Sequence, residues 1–403
     1  MHRSLLFLFG LAAAWPASAT TFSLSEIAPR VRSHHPQLKA ARWAVEEARG
    51  RQLGAGRLPN PTLGAQFQNE SRVSPRSTEF SLDQAFPVTR RLRLEKQLSA
   101  QLVSAAELEV KDAERKFVAE ARSLAVRLLA LEKQKALRQQ QTQLARKLSG
   151  FAKDRADAGE LSPLDASQAQ VDAQRLTLEA RKIEIETVSV QGELKPMLGL
   201  SPSDALKLAG DLPALAVPRK TSWQQRPDYQ LAQTKNQAAE TDAALAHARR
   251  YGDVSAGFFA AREQQDVAPR RTEYSGFVGF RISIPLPLWN RNQGEIAEKK
   301  AGVERARSET EALATQIVSE AETAKREMEA NASLVSETRD KLLPLVQEQT
   351  ARLEKAYESG QTDLLTVLRA REQRLQLEAA ALDAARDFHL ALIRYEAAVG
   401  AVR

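Results

Sequence analysis

From Glu273 to Pro285 apolar and polar residues alternate: Tyr274, Gly276, Val278, Phe280, Ile282 and Ile284 share one face, and Ser275, Gly279, Arg281 and Ser283 lie on the other. A period of two predicts a strand with two unlike faces. Val254, Ala256, Phe258 and Ala260 give a partner strand over Asp253 to Arg262 the same pattern. A fainter copy places Leu63, Ala65 and Phe67 on a strand from Thr62 to Ser71, and Phe80 and Leu82 on one from Thr78 to Phe86. After each pair the period changes to that of a helix. Ala106, Val110, Ala113, Phe117, Ala121, Leu124, Leu128 and Leu131 step by fours and threes, as do Val303, Ala306, Leu313, Ile317, Ala321, Ala324 and Met328. Such narrow seams of small residues predict helices that meet their neighbours along a line, as coiled-coil-like pairs. Helices are expected over Leu24–Leu53, Thr89–Ala156, Ser162–Leu198, Trp223–Tyr251, Asn290–Tyr357 and Asp363–Val399.

The pattern is written twice. Gln84-Ala-Phe-Pro-Val-Thr-Arg-Arg91 closes the first strand pair as Ile284-Pro-Leu-Pro-Leu-Trp-Asn-Arg291 closes the second, and Ala158-Gly-Glu-Leu-Ser-Pro-Leu-Asp165 is echoed by Ser359-Gly-Gln-Thr-Asp-Leu-Leu-Thr366. Residues 20–200 and 222–403 therefore read as two repeats, each a helix, a β-hairpin (about 62–86 and 253–285), a long helix and a shorter one. Residues 201–221, with Pro202, Gly210, Pro213 and Pro218, read as a plain linker. Gly159 and Gly360 mark the tips where long helices turn back, and Ser162 and Asp363 can cap the returning helices. Pro344, inside the second long helix, should kink it. A helix over 89–156 rises about 100 Å, a length suited to spanning a compartment.

Residues 1–19 have a basic start (His2, Arg3), an apolar run from Leu5 to Ala14 and the triplet Ala17-Ser18-Ala19, the pattern of a cleaved export signal. With no cysteine in the sequence, disulfides and a thiol-linked lipid anchor are both excluded. The net charge of +7 is interleaved along the chain, so the clustered basic face that nucleic acid requires is missing. No segment beyond the signal is apolar enough for a membrane helix. Membrane insertion would thus proceed through the strands, and four strands cannot close a barrel alone. Closure implies several copies.

Over essentially the whole mature chain this arrangement resembles the TolC-like outer-membrane efflux proteins. Ile284-Pro-Leu-Pro-Leu-Trp-Asn-Arg-Asn-Gln-Gly-Glu-Ile296 is similar in particular to the CzcC-type branch, the outer-membrane components of heavy-metal cation efflux. The resemblance implies a mainly α fold with a small β part. It implies a homotrimer whose twelve-stranded barrel sits in outer-membrane lipid and continues as a periplasmic α-helical barrel. It also implies a passive conduit working with a periplasmic adaptor and an inner-membrane transporter of the RND type. In such channels the helix tips coil inward to close the periplasmic aperture; the matching positions are Asp165, Tyr357, Thr362, Asp363, Thr366 and Arg369. Asp165 and Tyr357 fit a restraining hydrogen bond between helices. Where family members carry acidic rings, this chain has Thr366 and Arg369, with Asp363 the nearest acid.

No catalytic constellation or cofactor motif emerges. Past the signal the histidines are His34, His35, His247 and His389, none at the metal-ligand spacing of adjacent helical turns. The expectation is a non-enzymatic channel subunit without metal or cofactor. Drug efflux or type I protein secretion through the same kind of channel, and a periplasmic coiled-coil adaptor, remain open alternatives.

Overall fold

Proline and glycine decide where the helices of this chain stop. The computed structural model describes residues 20–68, 76–216, 222–267 and 271–401; the export signal at 1–19 and Pro218 in the linker lie outside the described residues. The elements run β1 (Thr20–Ser23), α1 (Leu24–His34), α2 (Pro36–Gly54), β2 (Thr62–Gln68), β3 (Arg76–Phe86), α3 (Arg91–Asp157), α4 (Pro163–Met197) and β4 (Leu206–Ala209). There follow α5 (Pro227–Ala248), β5 (Val254–Val267), β6 (Arg271–Ser283), α6 (Gln293–Ser336), α7 (Leu343–Glu358) and α8 (Leu364–Ala398).

Three expectations need correction. The single helix expected over Leu24–Leu53 is broken at His35, whose extended backbone (φ −60°, ψ 121°) is what a following proline imposes. The helix expected over Asn290–Tyr357 is interrupted by a π turn at Glu337–Leu342, where the Leu343 N–H reaches back to the Thr338 carbonyl. Pro344 has no N–H to continue the α ladder, and a wide turn is one way the chain absorbs that loss. The plain linker contains a strand: β4 pairs in parallel with β1, Thr20 opposite Leu206 and Ser23 opposite Ala209.

Two compact units result, each built from separate segments. One takes in the described residues up to Lys39, Glu114–Ser222 and those from Ser319 on; the other comprises Ala40–Ala113 and Trp223–Val318. In the first, α4 packs on α3 through Ala145, Ala173 and Leu176, and α3 packs on α8 through Leu144, Leu368 and Leu375. Phe388 of α8 then fills the space against Met328 of α6, next to Ala391. Polar contacts follow the same seams: Arg122 pairs with Glu396 at 2.7 Å, Arg115 donates to the Ala397 carbonyl at 2.8 Å, and Gln134 donates to Asp383.

The second unit holds a four-stranded antiparallel sheet in the order β2-β3-β5-β6. Its register stacks Leu63, Leu82, Phe258 and Phe280 in one row, and Ala65, Phe80, Ala260 and Val278 in the next. The sheet is carried on α2, α3, α5 and α6, tied by Arg91 to Asp253 (2.7 Å), Lys235 to Glu109 (2.8 Å) and Lys299 to Asp242 (3.0 Å). Asn292 makes the corner from sheet to α6. Its backbone is left-handed at φ 59°, a conformation asparagine tolerates better than most residues. Its amide donates to the Ala246 carbonyl at 3.0 Å and to Glu295 at 2.6 Å.

Candidate functional site: a two-faced sheet and paired helix tips

The sheet is inverted relative to a soluble one. Leu63, Phe67, Phe80, Leu82, Phe258, Tyr274, Val278, Phe280 and Ile282 all lie on one face and all are exposed, Phe280 at 76%. From Tyr274 to Ile284 this apolar stretch runs about 34 Å along the strand. At the usual barrel tilt that spans about 25 Å of membrane thickness, the height of an outer-membrane apolar band. The opposite face carries Ser77, Glu79, Ser81, Asp83, Ser255, Glu263, Glu273, Ser275 and Arg281. There Arg281 pairs with Glu79 at 2.8 Å across β5 and lies 5.3 Å from the centre of the Phe259 ring. Phe259 in turn lies across Gly279, where a Cβ would come within 2.7 Å of the ring. The sequence alternation announces both faces; the Arg281–Glu79–Phe259 cluster, which needs the cross-strand register, it does not.

Both outer strands end the sheet unpaired, since β2 and β6 each have one neighbour among the described residues. Open edges with an apolar face are a liability in water and a joining surface in a barrel.

The two tips are built alike. Gly159 after α3 has φ 76° and Gly360 after α7 has φ 73°. The Glu160 N–H reaches the Arg155 carbonyl at 2.9 Å, and the Gln361 N–H reaches the Ala356 carbonyl at 2.7 Å, the closure that a left-handed residue allows after a helix. Gly199 and Gly400 end α4 and α8 in the same way, Leu200 N–H to Lys195 O at 2.9 Å and Ala401 N–H to Glu396 O at 2.8 Å. The same number of residues separates Gly159 from Gly360 and Gly199 from Gly400, a signal in the sequence that the tip comparison alone overlooks. Ser162 Oγ accepts the Leu164 N–H at 3.2 Å to start α4, and Asp363 Oδ1 accepts the Thr366 N–H at 2.7 Å to start α8.

Of the aperture residues, Asp165 and Arg369 line a common cavity of about 310 Å³ with Gln168, Asp172, Leu365 and Glu372. Tyr357 is half-exposed in the last turn of α7, and Thr362 sits in the tip before the Asp363 cap. Thr366 is held through its backbone by Asp363. Among the described residues, no hydrogen bond within one chain joins Asp165 to Tyr357. Asp363 is kept ionised below its ordinary range, first by the backbone hydrogen bond from Thr366 and also by the charges of Arg369 and Arg155. Because its folded pKa is lowered, the stability it adds is complete above the usual carboxylate pKa and is lost as pH falls through the folded value. Asp363→Ala should cost about 1 kcal/mol at neutral pH and less in acid, read as faster amide exchange in the first turn of α8; an unchanged rate at neutral pH would contradict the capping role.

Three of the histidines have partners of their own: His34 meets the Ser33 hydroxyl at 2.6 Å, His35 stacks on Phe117 at 4.1 Å and His389 meets the Pro213 carbonyl at 3.0 Å. His35 and His389 are held below the normal histidine range chiefly by burial.

A sheet with a lipid-like outer face, a polar inner face and open edges, carried on long paired helices, defines a subunit of an outer-membrane channel. Residues 220–401 match the family model described as outer membrane efflux protein. The fold is shared with solved structures of low sequence identity. The outer-membrane channel OprN superposes with a TM-score of 0.77 at 18% identity, covering 94% of this chain and 90% of that one. CusC gives 0.73 at 16%, covering 96% and 95%. The outer membrane protein VceC from Vibrio cholerae gives 0.74 at 19%, covering 94% and 96%. No curated protein sequence matches the chain. The second repeat, residues 220–401, is thus similar to the outer membrane efflux protein family; the match and the shared fold support a component of an efflux channel in the outer membrane and not an enzyme.

Proposed function

We propose that three copies of this chain close a twelve-stranded barrel and, with a periplasmic adaptor and an RND-type inner-membrane transporter, export heavy-metal cations through it. The observation that carries the reading is the two-faced sheet with its unpaired β2 and β6 edges. A second exposed surface suits the same assembly. Leu164, Val171, Leu178 and Ile185 stand at seven-residue intervals on α4, all exposed, the spacing by which one helix seats along another. The two repeats, 20–200 and 222–403, each supply one hairpin to the barrel in this reading.

Cation cargo is supported by the resemblance of Ile284–Ile296 to the CzcC branch and by the polar face of the sheet. On that face Arg281 is already paired with Glu79, whereas Asp83, Glu263 and Glu273 have no ion-pair partner among the described residues. Facing a water-filled interior, unpaired carboxylates favour cations. Deleting the gene and measuring tolerance to zinc, cobalt, cadmium, copper and drugs tests the cargo: lowered metal tolerance with unchanged drug tolerance is expected, and the reverse would indicate drug efflux.

The aperture is proposed to lie at the tips, with Asp165, Tyr357, Thr362, Asp363, Thr366 and Arg369 around it. Since Asp165 and Tyr357 are unbonded within one chain, their hydrogen bond is assigned to adjacent copies. A contact of that kind is worth about 1 kcal/mol. Asp165→Ala with Tyr357→Phe should raise single-channel conductance in planar bilayers; wild-type conductance in the double variant would remove these residues from the gate.

A further inference from the structure

The apolar surface does not stop where the strands stop. Phe86 and Val88 beyond β3, and Ile284, Leu286, Leu288 and Trp289 beyond β6, are all exposed, Trp289 at 88%. The ends of β3 and β6 lie on the same side of the sheet, because Phe86 pairs with Val254 and Ser283 with Ser255 at the start of β5. That is the side from which α3 and α6 continue. Pro87, Pro285 and Pro287 end the ladder there by removing donors. Pro285 also closes over Gly252, where a Cβ would come within 2.7 Å of the proline ring. The apolar rim is therefore held by the backbone, outside any strand pairing.

Directly beyond it comes positive charge. Arg90, Arg93 and Arg291 are exposed and have no ion-pair partner among the described residues, unlike Arg91, which pairs with Asp253. Exposed tryptophan beside free arginine, continuous with a lipid-facing band, is the composition of a membrane interface, where the indole lies at headgroup depth and guanidinium meets phosphate. With the helices on the periplasmic side, this interface is that of the inner leaflet.

We infer that Phe86–Val88 and Ile284–Trp289, together with Arg90, Arg93 and Arg291, form a rim that binds anionic phospholipid headgroups of the periplasm-facing leaflet. The rim fixes the depth of a chain that carries no cysteine for a lipid anchor. The inference rests on the channel reading, and its test separates the two. Trp43 and Trp223 are replaced by Phe so that Trp289 is the only tryptophan of the mature chain, and the protein is reconstituted into phosphatidylglycerol/phosphatidylcholine vesicles bearing nitroxide labels at the headgroup or deep in the acyl chain. A second variant also carries Trp289→Phe and Phe280→Trp. The expected result is Trp289 quenched most by the headgroup label and Phe280→Trp quenched most by the deep label. Replacing Arg90, Arg93 and Arg291 by Gln should remove the enrichment of phosphatidylglycerol over phosphatidylcholine among lipids that copurify. Deep quenching at position 280 with no quenching of Trp289, or unchanged enrichment in the triple variant, overturns the rim and leaves the channel standing. No quenching at either position overturns both.

Discussion

Phe280→Arg is expected to abolish the assembled channel in the outer membrane. Phe280 lies mid-band on the apolar face, 76% exposed, so in water the substitution would be harmless or helpful. Against lipid, an arginine at the membrane midplane costs about 2–4 kcal/mol. In three copies the same change costs about 6–12 kcal/mol, comparable to the whole stability of a domain. Loss of detergent-resistant oligomer from outer-membrane fractions is the readout. The same residue placed at Ser275, on the polar face, should be tolerated. Wild-type amounts of the Phe280→Arg oligomer would mean that this face does not meet lipid.

Phe388→Ala should produce the largest loss within the helical layer. Phe388 is fully buried, packed with Met328 and Ala391 and set edge-on to His389 at 5.3 Å. Truncating a buried phenylalanine costs about 3–5 kcal/mol through lost burial and the cavity left behind. Amides of α8 and of the adjoining end of α6 should then exchange about two to four powers of ten faster. Exchange at wild-type rates would show that the surroundings of α8 collapse to fill the space. The two phenylalanines have opposite expected behaviour because one is sealed by its own chain and the other waits for a different solvent.

That contrast also marks what was legible in the sequence. The strand alternation at Tyr274–Ile284 and the tip glycines Gly159 and Gly360 are local signals, set by side-chain period and by the need for positive φ. The exposed stripe Leu164, Val171, Leu178 and Ile185 is equally local in spacing, but a seven-residue interval does not say whether its own chain covers it. The pairing of β1 with β4 joins residues nearly two hundred apart through four-residue strands, too short to show a period. The π turn at Glu337–Leu342 has only Pro344 as its cue, and proline can equally kink or end a helix. The Arg281–Glu79–Phe259 cluster exists only once β3, β5 and β6 take their register. Of the aperture residues, the sequence places Asp165 and Arg369 in different repeats, and the packing of α4, α3 and α8 sets them on one cavity.

Because the chain has no cysteine of its own, disulfide formation can report directly on how the sheet closes. In one copy β2 and β6 are separated by β3 and β5, about 14 Å apart at the usual strand spacing, beyond the roughly 7 Å reach of a disulfide. Cysteine at Ala65 on β2 is combined with cysteine walked through Gly276, Val278 and Phe280 on β6, and the oxidised outer-membrane protein is run under non-reducing conditions. A covalent trimer as the largest product, at one register of the walk, is the result predicted for a barrel shared by three sister chains. Monomer at every position, or a ladder extending past three, would contradict it.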